Sequence, residues 1–146
     1  MIPFVLSEAS GWLIAVLAVI TIVLPYLLRG RRLAPEGWSL GYLQRMTPHY
    51  WIGYTIAGLS LLHASFAMSA PMPSGGTAVT GIWVGTGGML LIFGQLMLGM
   101  RLRELRGTGR LQLRRWHFAT VIALALVGAL HVGLNGPVVQ SIGRLI

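Results

Sequence analysis

Four mostly apolar stretches, each about as long as a helix that crosses a bilayer, narrow the possible folds of this chain more than any other feature. They cover residues 11–28, 48–69, 80–100 and 116–134, and none carries an Asp, Glu or Arg in its interior. Barrel strands would need about half that length and a period-two alternation that these stretches lack. Soluble domains carry about a quarter charged residues. This chain carries 10%, with 55% hydrophobic residues, so a water-facing globule is excluded. Pro25 lies inside the first stretch and is expected to kink it near its end. Trp12, Tyr26, Tyr50, Trp51, Trp83 and Trp116 fall at the ends of the stretches, where an interfacial aromatic belt belongs. The expected fold is an all-α integral membrane four-helix bundle, up-down-up-down, with residues 1–146 as a single transmembrane domain.

The chain has 11 basic residues against 3 acidic ones, for a net charge of +8. In a polar chain that balance would suggest nucleic acid, but here its placement reports membrane topology. Arg29, Arg31, Arg32 and Arg45 lie between the first and second spans, and Arg101, Arg103, Arg106, Arg110, Arg114 and Arg115 between the third and fourth. Only Arg144 lies elsewhere. The positive-inside rule makes the side of both basic loops cytoplasmic and places both termini outside, in what reads as a bacterial inner membrane. The first stretch reads as a span and not as a cleaved signal peptide, because its positive charges follow the apolar run.

The connections are short. Residues 33–47 hold Trp38, Leu40, Tyr42 and Leu43 and read as a segment lying along the interface. Residues 70–79 read as a short outer loop. Residues 101–115 read as a basic loop turning at Gly107-Thr108-Gly109, suited to anionic lipid headgroups as well as to topology. Cysteine is absent, which excludes disulfides, covalent c-type haem, thiolate-bound iron–sulfur clusters and thiolate zinc sites. No glycine-rich strand–turn–helix signature for a nucleotide is present.

The chain has four histidines: His49 and His63 on the second span, His117 and His131 on the fourth. Fourteen helical steps come to about 1400°, some 40° short of four full turns, so each pair shares one face of its helix. The two rings of a pair differ in depth by about 21 Å. With both spans running outward, His49 and His117 share one depth near the cytoplasmic surface, and His63 and His131 share another toward the exterior.

Such matched pairs suit two metal centres stacked across the membrane, each a macrocycle taking one imidazole on either side of its iron. The faces between the histidines pass Gly53, Ile56 and Ser60 on the second span and Val121, Leu124 and Gly128 on the fourth. Gly53, Ser60 and Gly128 leave room for flat rings, although small residues also serve plain helix packing. The glycine-rich third span fits tight helix contact and close approach to a macrocycle equally well. Ionisable residues at membrane depth are functional by default. Zinc or copper held by the histidines alone fits less well, because no carboxylate or thiolate completes a site.

The two H-x13-H patterns on the second and fourth spans resemble the four-helix haem bundle of the cytochrome b family, respiratory and photosynthetic. They are also similar to the haem-bearing core of ferric-reductase-type membrane proteins. The resemblance covers nearly the whole chain and rests on histidine spacing and helix order. It implies two b-type haems, the inner one ligated by His49 and His117 and the outer one by His63 and His131. Arg114 and Arg45 lie about one helical turn before His117 and His49, where they suit inner haem propionates as well as topology. The function expected is that of a dihaem cytochrome b subunit passing electrons between the membrane faces. Its partners would be other subunits of a larger electron-transfer complex, surrounding lipid and a quinone or quinol; nucleic acid is not among them. Gln95 and Tyr54 are polar groups suited either to a quinone or, more simply, to helix-to-helix hydrogen bonds. The competing functions are the haem subunit of a quinone or ferric oxidoreductase with a separate catalytic subunit, a histidine-based metal transporter, and a structural subunit whose haems only hold an assembly together.

Overall fold

The computed structural model describes residues 2–30, 44, 46–69, 76–105 and 107–135. Four long helices account for nearly all of them: α1 (Ile2–Gly30), α2 (Thr47–Ser69), α3 (Gly76–Glu104) and α4 (Gly109–Asn135). All four are long and apolar enough to cross a membrane, so the chain is an all-α protein of transmembrane type. Of the segment expected along the interface (residues 33–47), residues 33–43 and Arg45 lie outside the described residues, and Thr47 already begins α2. The tip of the outer loop (residues 70–75) and Arg31, Arg32, Arg106 and Arg144 also lie outside them.

The chain divides into two units, Met1–Ala70 and Pro71–Ile146, each built on one helical hairpin. In the first, α1 begins at Ile2, nine positions before the expected start of the span, and carries Glu8 within it. It continues through Pro25 to Gly30, although an interior proline costs a helix about 3 kcal/mol. Its less exposed residues, among them Ser7, Ser10, Ile14, Leu17, Thr21, Leu24 and Leu28, recur at steps of three and four, the spacing of a single helix face. Phe4, Trp12, Val16, Val19 and Leu27 stay exposed on the other sides, as suits a surface solvated by lipid and not by water. On α2 the buried residues are Ile56, Ala57 and Ser60. Two of these lie on the face that joins the histidines. The helices of this hairpin run in opposite directions, since Ser7 meets His63 and Thr21 meets His49.

The second hairpin shortens the expected basic loop. α3 extends to Glu104 and α4 starts at Gly109, so Arg101 and Arg103 belong to the last turn of one helix and Arg110, Arg114 and Arg115 to the first turns of the other. The expected outer loop is also shorter, because α3 already begins at Gly76. In both places the helix outruns the apolar stretch, because backbone hydrogen bonding continues into the interface where polar side chains are solvated. Gly107 makes the reversal possible, with φ of 84° in the left-handed region, which a side chain would strain. The Arg110 amide then donates to the Gly107 carbonyl at 3.2 Å, and the Leu111 amide to the Thr108 carbonyl at 3.1 Å.

Arginines in the last turn of α3 complement its dipole, whereas on α4 only Arg110 stands in the first turn, where a cation opposes the dipole. The ion pair between Arg101 and Glu104, 3.9 Å apart and well exposed, contributes little.

Candidate functional site

Each hairpin holds two histidines, and in each the second helix presents both of them to the first. All four rings are half-buried. In the first hairpin, Nδ1 of His49 lies 3.1 Å from the Thr21 carbonyl oxygen of α1. Nδ1 of His63 lies 2.9 Å from the Ser7 carbonyl oxygen. A carbonyl only accepts, so each ring carries its hydrogen on Nδ1 and its basic lone pair on Nε2, directed to the opposite side of the imidazole. The two acceptors on α1 are fourteen positions apart, as are the two histidines on α2, so one contact is repeated four helical turns along. Around His63 the Ser10 hydroxyl donates to Ser7 O at 2.9 Å and lies 3.3 Å from the ring Nδ1. Gly11 makes this approach possible, because a Cβ there would sit 3.2 Å from the His63 Cε1 atom.

The second hairpin repeats the device at His131, whose Nδ1 lies 2.9 Å from the Gly81 carbonyl oxygen of α3. Gly85 is the matching clearance, since a Cβ there would stand 2.6 Å from the His131 Cε1 atom. Asn135, one turn beyond, donates from its amide to the His131 carbonyl at 3.0 Å and fills the space where a Gly81 side chain would stand. Fourteen positions along α3 from Gly85, Gly99 faces His117, with 3.7 Å from an added Cβ to the ring Cε1.

His117 itself is held differently. The Gln95 side-chain amide lies between Thr120 and His117, with Oε1 beside the Thr120 hydroxyl and Nε2 3.2 Å from His117 Nε2. His49, His63 and His131 thus share one tautomer, set by backbone carbonyls, while His117 meets a side chain instead. A metal taken at Nε2 of His117 must displace the Gln95 amide.

A ring whose Nδ1–H is tied to a carbonyl is an oriented and strengthened Nε2 ligand, the arrangement found behind most metal-binding histidines. Gln95 therefore makes helix-to-helix hydrogen bonds. Tyr54 stacks edge-on with Trp51, ring centres 6.2 Å apart. Within their own hairpins Gly53 and Gly128 have no atom within 4 Å of an added Cβ, so neither glycine is needed for packing against its hairpin partner. Arg114 is exposed on the first turns of α4. Ser7, Ser10, Thr21, Thr120 and Asn135 were not among the expected site residues. The readable trace of α1 was its own fourteen-residue interval between Gly11 and Pro25, matching the histidine interval on α2.

No family model, curated protein or solved structure matches the chain.

Proposed function

We propose that the chain is a dihaem b-type cytochrome subunit that carries electrons across a membrane as part of a larger electron-transfer complex. The observation that carries this reading is the repeated orientation of histidine by backbone. Rings four helical turns apart on one helix donate Nδ1–H to carbonyls four turns apart on its neighbour, and the second hairpin repeats the contact at His131. A structural histidine needs one such bond. Two at the interval that stacks macrocycles, with glycine cleared beside His63 and His131, suit axial ligation.

In this reading His49 and His117 hold an inner haem, and His63 and His131 an outer one. Bound haem supplies a one-electron ferric–ferrous couple. The chain's own residues would orient the imidazoles and supply two of them to each haem, which favours electron transfer over chemistry at the iron. Arg114 and Arg45 would neutralise propionates on the cytoplasmic side. Gly53 and Gly128 would leave room for the flat rings. Four spans running up-down-up-down, both termini outside, in a bacterial inner membrane complete the topology, with quinone or quinol as the mobile partner. Among the described residues no group of three or more His, Asp or Glu gathers to hold a bare ion, which favours a macrocycle over transport of a metal.

A reduced-minus-oxidised spectrum of the purified full chain, with pyridine haemochrome quantification, tests the reading. Two non-covalent b haems per chain are expected. A preparation with no Soret absorbance, or with haem that survives acid–acetone extraction, would overturn it.

A further inference from the structure

The acceptor of His49 has a peculiarity that the other two acceptors lack. In an α-helix the carbonyl of residue 21 receives its hydrogen bond from the amide of residue 25, and residue 25 is the proline inside α1. Proline has no amide hydrogen, so the ladder is broken at the Thr21 carbonyl, and it is this oxygen that lies 3.1 Å from His49 Nδ1. Ser7 and Gly81, the carbonyls that meet His63 and His131, stand four positions before Gly11 and Gly85, which do carry amides.

We infer that Pro25 is a positioning residue for His49: by withholding its amide it dedicates the Thr21 carbonyl to the imidazole. A proline inside a spanning helix leaves a carbonyl that lipid cannot satisfy, and such helices persist where a neighbour supplies the donor. Here the neighbour is the His49 ring. The three contacts are similar in length, 3.1 Å at His49 and 2.9 Å at His63 and His131, so what sets His49 apart is that its acceptor has lost its ladder donor. His63 and His131 donate to carbonyls that keep an amide partner. An amide restored at position 25 would make His49 share its acceptor, weakening its Nδ1–H bond and with it the electron donation from Nε2. The effect on a bound iron rests on the haem reading; the effect on the ring does not.

The test uses the full chain, labelled with nitrogen-15 histidine and with carbonyl-carbon-13 threonine, in phosphatidylcholine–phosphatidylglycerol vesicles and read by solid-state NMR, with His49 assigned by its loss in His49→Gln. In the unaltered protein a through-bond correlation should link the His49 Nδ1 proton to the Thr21 carbonyl carbon, a measurement that needs no variant to fold. In Pro25→Ala the restored amide shares that carbonyl, so the His49 proton should move upfield while the His63 proton stays. No correlation in the unaltered protein, or equal movement of both protons in Pro25→Ala, overturns the inference. In haem-loaded protein the same variant should raise the potential of the component that His49→Ala removes and leave the other in place. An upfield His49 proton in a protein that takes up no haem would retain the positioning role and refute the haem reading. Two intact haem components with an unmoved His49 proton would do the reverse.

Discussion

Glycine at 85 and glycine at 99 stand at equivalent positions before two histidines of the same helix, yet the space they leave is unequal. A Cβ at 85 would stand 2.6 Å from His131 Cε1, whereas one at 99 would stand 3.7 Å from His117 Cε1, an ordinary contact. Gly11 falls between them, at 3.2 Å from His63 Cε1. The His131 ring cannot yield freely, because its Nδ1 is tied to Gly81 O. Gly85→Ala should therefore break that bond or push the helices apart, at the 1–3 kcal/mol typical of overpacking. The outer spectral component should be lost or broadened. Gly99→Ala should leave both components in place, and Gly11→Ala should perturb the outer one less than Gly85→Ala does. Visible spectra and thermal melts of the three variants check this order; an equal response from all three would show that the glycines serve general helix packing.

Helices were the legible part of the fold, because length and apolarity decide what can cross a bilayer. The 48–69 stretch matches α2 (Thr47–Ser69) to within a residue at its start. The ends of α1, α3 and α4 were not legible, since interfacial helix is solvated and leaves no hydropathy edge. The histidine interval was readable because a side chain has a letter in the sequence. The acceptors at Ser7, Thr21 and Gly81 were not, being backbone oxygens whose role depends on which residue stands four positions later. The replacement of a carbonyl by the Gln95 side chain at His117 depends on helix packing alone. At this scale the arginines of α4 offer a test. Arg114 lies one turn before His117, exposed in the second turn of α4. A fixed cation near an iron would favour the reduced over the oxidised state. Arg114→Gln should lower the potential of the component that His117→Ala abolishes and leave the other unmoved. Redox titration followed at both spectral components reads this directly, and equal shifts in both would assign Arg114 to topology alone.

The whole-molecule proposal joins two hairpins that each make sense alone, and it stands on orientation and pairing. With ten of the eleven arginines in the two basic connections, a reporter active only in the cytoplasm should be silent when fused after Ile146 and active when inserted at Thr108 between α3 and α4. The reverse pattern would exchange the inner and outer sites. Pairing is the sharper question. Rings on α2 are about 21 Å apart along the helix axis, as are those on α4, so no single iron can be shared by two histidines of one helix. On the proposed reading, ligand pairs are drawn one from each hairpin, and register decides which. If corresponding positions share a depth, His49→Ala and His117→Ala should each remove one spectral component, and His63→Ala and His131→Ala should each remove the other. On that reading, loss of one histidine would weaken or empty its own haem site, while the remote site would keep both of its histidines. Were His49→Ala and His131→Ala to remove the same component, the spans of α2 and α4 would have to run in opposite directions. The two basic connections could not then share one side of the membrane, so the pairing experiment and the reporter experiment must agree for either to stand.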